Sequence, residues 1–484
     1  MIGAALFHPM MILGLGAALV YLLARLWSKH NALLAGATTL ILALSLFAQL
    51  VLGRNSRHIL ASTAATSTWA PIAQEPGAML VSGVALAIGL AIALYSGRYL
   101  ALDRRYEDYY PLLLLLLAGV LGMVGAMDLF TLYLCAMLSS TTSYVLVAFR
   151  RHTDTAIEAG YKYAVLGGMG SMLLLAGVGL IYRSVGTLSL PLAERPTDLW
   201  GLWGANLILL GLSIKGAVFP AHTWLPDAHG RAPSSISALL SGIIVPSYLY
   251  ALIKTGLGIR LSPSFFGALL VVVALATMTV GNLLALRQVY GKRLLGYSSV
   301  AHIGYMAAAF GVGLLADNPK PISAGLFLLV AHAAAKSLAF LCKGVFHFYC
   351  DASLVEELRG MGHRTPIAGA GFVLALAGLA GVPLLGGFMA KFGLLASLIT
   401  TPVGIPVVAG VLLNSLLSLG YYLPLIGHVL RAPAENEARI RVSHWMQAPI
   451  VVLGMLVVIT GVAPEPLLRW TYAAAEFLLS WRGR

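Results

Sequence analysis

The chain has 484 residues, of which 59% are hydrophobic and only 10% charged, with a mean hydropathy of +0.87. Soluble domains carry roughly 25% charge, so one globular core is excluded and the apolar surface must face lipid. The formal net charge of +13 comes from basic residues scattered over short loops with no cluster to follow a phosphate backbone, which excludes a nucleic-acid partner.

Taken in order, the N-terminus MIGAALFHPM lacks a basic n-region and a small-residue cleavage site, so the first span is expected to stay. Runs of about 20 mostly apolar residues, the length a span requires, recur along the whole chain. They fall at 9–27, 31–52, 78–98, 111–127, 128–149, 161–183, 201–220, 233–254, 263–286, 295–315, 321–346, 366–399, 402–428 and 446–463, fourteen in all. The expectation is an all-α polytopic membrane protein of about 14 transmembrane helices without a soluble domain. Met127 and Asp128 alone separate the fourth and fifth spans, which requires a tight turn. The longest polar connections are 53–77 and 184–200, and the amphipathic end, 464–484, carries Trp470 and Trp481 as an interfacial segment would.

Odd-numbered loops hold 18 Lys and Arg residues and even-numbered loops plus the tail hold 10, with Lys254, at the end of its apolar run, counted among the latter. The positive-inside rule then puts both termini outside. Of the 31 basic residues, Lys215, Lys336 and Lys391 are left over as the ones placed deep within spans. An ammonium at bilayer depth costs about 2.5–3.5 kcal/mol, relieved by water, a partner charge or loss of the proton, so such lysines are functional candidates before they are structural ones.

Lys215 precedes Pro220 in GLSIKGAVFPAHTWLPDAHGRAP, and Lys391 follows the interruption GVPLLGG at 381–387. Paired broken helices in two halves of a chain point to inverted repeats with ion sites near the midplane. Lys336 follows His332 by four residues, which puts two protonatable groups on one helix face. His302 reads equally as a relay or as a satisfied structural histidine. His222, Asp227 and His229 flank the first break and are expected to line its aqueous mouth or hold the loop. Glu158 and Lys162 have the spacing of an interface ion pair.

Cys135, Cys342 and Cys350 lack metal-ligand or redox spacing and read as apolar filler. With no nucleophile elbow, phosphate loop, zinc motif or dinucleotide fingerprint, no catalytic centre, metal or cofactor is expected. If the chain serves an oxidoreductase, the electrons move in other subunits.

Several blocks resemble the antiporter-like subunits of complex I (NADH:quinone oxidoreductase), a family that also includes Mrp-type cation/proton antiporter subunits and the membrane arms of energy-converting hydrogenases. They are IKGAVFPAHTWLPDAHGRAPSSISALLSG (214–242), KRLLGYSSVAHIGYM (292–306), HAAAKSLAFLCKG (332–344), GVPLLGGFMAKFGLL (381–395) and EAGYKYAVLGGMGSMLLL (158–175). The resemblance implies two inverted five-helix repeats with broken helices 7 and 12, placed at 111–256 and 263–428. They would be preceded by three helices in 1–110 and followed by a helix and amphipathic tail in 429–484. It further implies proton translocation along a central polar axis: Lys215 as the central lysine of the first half, Lys336 as the connecting lysine with His302 and His332 beside it, and Lys391 on the exit side.

The chain departs from the family pattern twice. Where a glutamate usually partners the seventh-helix lysine stands Met137, and where the eighth helix commonly has a lysine stands Pro246. The principal reading is a non-redox, proton-translocating subunit of a redox-driven complex in a prokaryotic plasma membrane. It would be assembled with other membrane subunits and with iron–sulfur, flavin or hydrogenase partners. A Mrp-like antiporter subunit and a structural subunit with a degenerate first half-channel are the alternatives.

Overall fold

Apolar runs in lipid can satisfy their backbone N–H and C=O groups only internally, and so they fold as helices. The computed structural model describes residues 8–26, 31–62, 72–101, 103, 105–150, 153–432 and 438–481. The segment 1–7, part of the N-terminus expected to lack a cleavable signal, lies outside these residues, as do Lys29, Arg104, Arg151, Arg482 and Arg484 from the loop count.

The order is α1 (Pro9–Leu26), α2 (Asn31–Ser62), α3 (Pro76–Tyr99), α4 (Tyr106–Gly125), α5 (Leu129–Val147), α6 (Asp154–Val185), α7 (Leu199–Lys215) and α8 (Trp224–Arg231). A short α9 (Ser234–Leu239) runs through one π turn, Leu240–Ile244, into α10 (Val245–Gly258). Next come α11 (Pro263–Ala285), α12 (Gly291–Ala316), α13 (Pro319–Cys350), α14 (Met361–Arg364), α15 (Pro366–Ala380), α16 (Gly386–Ile399), α17 (Gly404–Leu430), α18 (His444–Val462) and α19 (Glu465–Ser480). Among the described residues twelve continuous helices are long and apolar enough to cross a membrane. The shorter apolar α7, and α15 with α16, supply the two interrupted spans that complete fourteen. The polar connection expected from residue 53 starts later, because α2 continues to Ser62. Asp128 makes the tight turn between α4 and α5 by accepting from Thr131 N at 2.7 Å as the cap of α5.

The span formed by α9, the π turn and α10 is wholly buried, and α12 and α13 are nearly so, whereas in α1, α6, α11 and α17 fewer than half of the residues are buried. The buried serines, histidines and lysines gather on the inner helices, where backbone and hydroxyl partners are in reach. Peripheral helices approach through small residues: a Cβ on Gly177 would meet the Gly204 carbonyl at 2.6 Å, so α6 and α7 cross at backbone contact. The tail is more than an interfacial segment. Thr471, Ala474, Ala475 and Leu478 form a buried stripe on α19, Thr471 bonds Ser323 of α13 at 2.9 Å, and Trp481 is buried.

Both interruptions leave orphan carbonyls that the structure satisfies locally. After α7, Trp224 Nε1 donates to Ile214 O at 3.0 Å and Ala217 takes a left-handed conformation (φ 51°). After α15, Gly381 caps the helix at φ 93°, a conformation that glycine adopts without strain.

Candidate functional site

Lys215 ends α7, so its ammonium lies at the negative end of a half-helix. It is 2% exposed and donates to Ser140 Oγ of α5 at 2.6 Å. Ser140 in turn bonds Tyr248 OH of α10 at 2.7 Å, and the ammonium stands 5.6 Å from the Tyr248 ring centroid. Ser143 extends the hydroxyl cluster to Tyr163 OH at 2.9 Å. No carboxylate bridges Lys215 among the described residues. Met137, one turn before Ser140, is half-buried, so a hydroxyl stands where an anion was expected.

The second half is built around α12 and α13. Lys336 is fully buried and donates to Leu295 O at 2.8 Å and Ser298 Oγ at 2.6 Å; Ser298 also bonds Tyr422 OH of α17. His302 contacts Ser298 O through Nδ1 at 2.9 Å, and its ring lies 4.9 Å from that of His332. His332 Nε2 lies 3.3 Å from Ser241 O in the π turn. On the other side His302 meets Tyr305 edge-on at 5.6 Å, and the Lys391 ammonium stands 5.5 Å from the Tyr305 ring centroid. Lys391 donates to Ala380 O, the last residue of α15, at 3.2 Å, again the negative end of a half-helix. Asn282 joins Tyr305, Tyr421 and Asn414 into the same polar body. A series of close contacts therefore runs from the π turn through His332, His302 and Tyr305 to Lys391.

The three residues flanking the first break separate. Asp227 borders a cleft of about 240 Å³, where it pairs with Arg293 at 3.0 Å and Lys162 at 3.6 Å, and Lys162 also pairs with Glu158 at 2.7 Å. His222 and His229, expected to line the mouth of the break or to hold its loop, are not among the residues that line this cleft. His229 is buried and stacks on Phe340 at 4.7 Å, and His222 is buried near Phe219 and Tyr297. An imidazole can shed its charge and take an aromatic neighbour, while an aspartate needs water or cations.

A correction concerns the buried lysines, which number more than three. Lys343 is buried against Ala352 O, and Lys254, assigned to a loop, is 1% exposed. Lys254 pairs with Glu75 at 3.0 Å and donates to Val124 O at 2.9 Å, while Tyr250 OH donates to the same carboxylate. Trp481 covers the pair, its ring centroid 5.6 Å from the Lys254 ammonium. Glu75 is the one buried carboxylate among the described residues. The signal available in the sequence was a glutamate directly before the Pro-Gly start of α3, facing a lysine one turn before the end of α10.

Interrupted helices, lysines at their carbonyl ends and a hydroxyl–imidazole series leading to one of them define an antiporter-like membrane subunit. Residues 126–418 match the transmembrane family described as NADH:quinone oxidoreductase/Mrp antiporter, and the chain belongs to that family. It is 32% identical over 486 residues to NADH-quinone oxidoreductase subunit N of Chromohalobacter salexigens, covering 95% of this chain and 97% of that one. It is 31% identical to F(420)H(2) dehydrogenase subunit N of Methanosarcina mazei, covering 82% and 83%. Among solved structures, the archaeal membrane-bound sulfane sulfur reductase contains a chain that superposes with a TM-score of 0.87 at 27% identity, covering 99% of this chain and 98% of that one.

Proposed function

We propose that this chain is the proton-translocating membrane subunit of a redox-driven complex, with no redox centre of its own. The observation that carries the reading is the buried series from Ser241 through His332, His302 and Tyr305 to Lys391, with Lys336 bonded beside it. Each member can hold, orient or hand on a proton, and buried lysines are retained in a membrane against a cost of about 2.5–3.5 kcal/mol each. Lys215 with Ser140 and Tyr248 is the corresponding site of the first half. The names of the relatives support a setting in which the driving electrons move through partner subunits of an oxidoreductase. The distribution of basic residues supports placing the Asp227 cleft on the inner face of a prokaryotic plasma membrane and both termini outside.

The test is Lys391→Met in the assembled complex, reconstituted in vesicles with proton uptake measured against electron transfer. Loss of uptake is expected, and unchanged coupling would overturn the relay. The composition of the purified complex separates this reading from a Mrp-like antiporter: subunits with iron–sulfur centres or flavin favour the first, small membrane subunits alone the second.

A further inference from the structure

Pro246, one of the two departures from the family pattern, stands directly after the π turn, at the second residue of α10. In the π turn the Val245 N–H bonds Leu240 O, so the hydrogen-bond register has shifted from four residues to five. In that shifted register the Ser241 carbonyl would be bonded by the N–H of residue 246. Residue 246 is proline and has none. The unshifted donor, Val245, is already engaged with Leu240. Ser241 O is thereby left without a donor from its own helix, in a span that is buried throughout, where an unmade carbonyl bond is unfavourable. His332 Nε2 fills the vacancy at 3.3 Å.

A carbonyl oxygen can only accept, so His332 Nε2 carries the hydrogen. Nδ1 of the same ring is then the bare nitrogen, and it is buried with no hydrogen-bond partner. His302 has the opposite arrangement: Nδ1 faces Ser298 O at 2.9 Å, which makes Nδ1 the donor and Nε2 the bare nitrogen. The two rings are 4.9 Å apart.

We propose that Pro246 is a positioning residue for His332: by leaving the Ser241 carbonyl free it holds the Nε2–H and presents Nδ1 as the single atom through which His332 takes and returns a proton. A proton cannot pass in at Nδ1 and out at Nε2, because the carbonyl on Nε2 has no capacity to receive it. His332 is therefore a station that loads and unloads by one nitrogen, and His302, with its own Nδ1 on a carbonyl, is a second. The balance is simple: the proton bonded at Nδ1 gives an imidazolium, and the same N–H bond breaks when the proton leaves. The functional consequence rests on the relay reading above, while the tautomer itself does not.

The experiment is ¹⁵N solid-state NMR of the assembled complex, its copy of this chain labelled at histidine, with His332 assigned by its loss in His332→Gln. The wild-type protein is expected to show His332 protonated at Nε2 and bare at Nδ1. A dominant Nδ1–H form would overturn the proposal without recourse to any variant. In Pro246→Ala the restored N–H recaptures Ser241 O, and the tautomer ratio is expected to fall about tenfold, the equivalent of one hydrogen bond of about 1.4 kcal/mol. An unchanged spectrum in that variant would also overturn it. Proton uptake is measured on the same samples. In His332→Gln the amide N–H can still reach Ser241 O but nothing accepts at Nδ1, so uptake is expected to be lost with assembly retained. Retained uptake alongside the expected tautomer would sink the relay role of His332 and leave the positioning by Pro246 standing.

Discussion

The two halves stabilise a lysine at a helix break by different means. In the first, Lys215 rests on a hydroxyl pair, Ser140 and Tyr248, with Met137 where an anion would serve. In the second, Lys391 caps a carbonyl at the end of α15 and packs on Tyr305, which leads on to His302 and His332. A buried carboxylate does reach the first half from outside it, but Glu75, directly ahead of α3, is committed to Lys254 of α10 rather than to Lys215. Neutral dipoles can therefore hold a buried amine where a counter-ion is absent, and they hold it less firmly as a cation than a carboxylate would.

Four measurements break or sharpen that contrast. The largest effect is expected from Lys391→Met, which should abolish proton uptake, while Lys215→Met should leave a measurable fraction. Equal losses would show that the hydroxyl-held lysine is as essential as the connected one. Next comes the displaced carboxylate. Lys254→Met strands Glu75 in a dry site and should destabilise the chain by about 3–5 kcal/mol, read as a lowered unfolding temperature in detergent. The double variant Glu75→Gln with Lys254→Met should recover most of that loss; if it does not, the pair is no isolated staple.

A smaller effect is expected from Ser140→Ala, which removes the hydroxyl under Lys215 and should cost about 1–3 kcal/mol through an unsatisfied buried donor. Adding Met137→Glu, one turn away on α5, should restore stability and uptake together. Failure of that rescue would mean that residue 137 does not face Lys215. The smallest effect is expected from Glu158→Gln at the Asp227 cleft, where the Lys162 pair is solvent-exposed. The unfolding temperature should not move, and a clear drop would show that the charges around Asp227 act as one network.

Much of the candidate site was legible because a lysine in an apolar run stands out against its neighbours. Lys215, Lys336 and Lys391 were visible in this way, as were the proline and glycine interruptions beside two of them. His332 and Lys336 share a face by spacing alone. Ser140, Tyr248, Asn282 and Tyr305 gave no such signal, since serines, asparagines and tyrosines within spans are too common to single out. Lys254 reads as a loop residue because it lies at the end of its apolar run, and its partner Glu75 is 179 positions earlier in the chain.

By itself, then, the sequence determined the all-helical class, the fourteen crossings, the two breaks and the family, because lipid enforces helices of a set length and exposes every departure from apolarity. The tertiary structure alone decided which polar groups meet. Helix rotation and tilt are set by packing against neighbours, so only the assembled bundle puts Ser140 under Lys215, Trp481 over Lys254 and a proline-freed carbonyl beside His332.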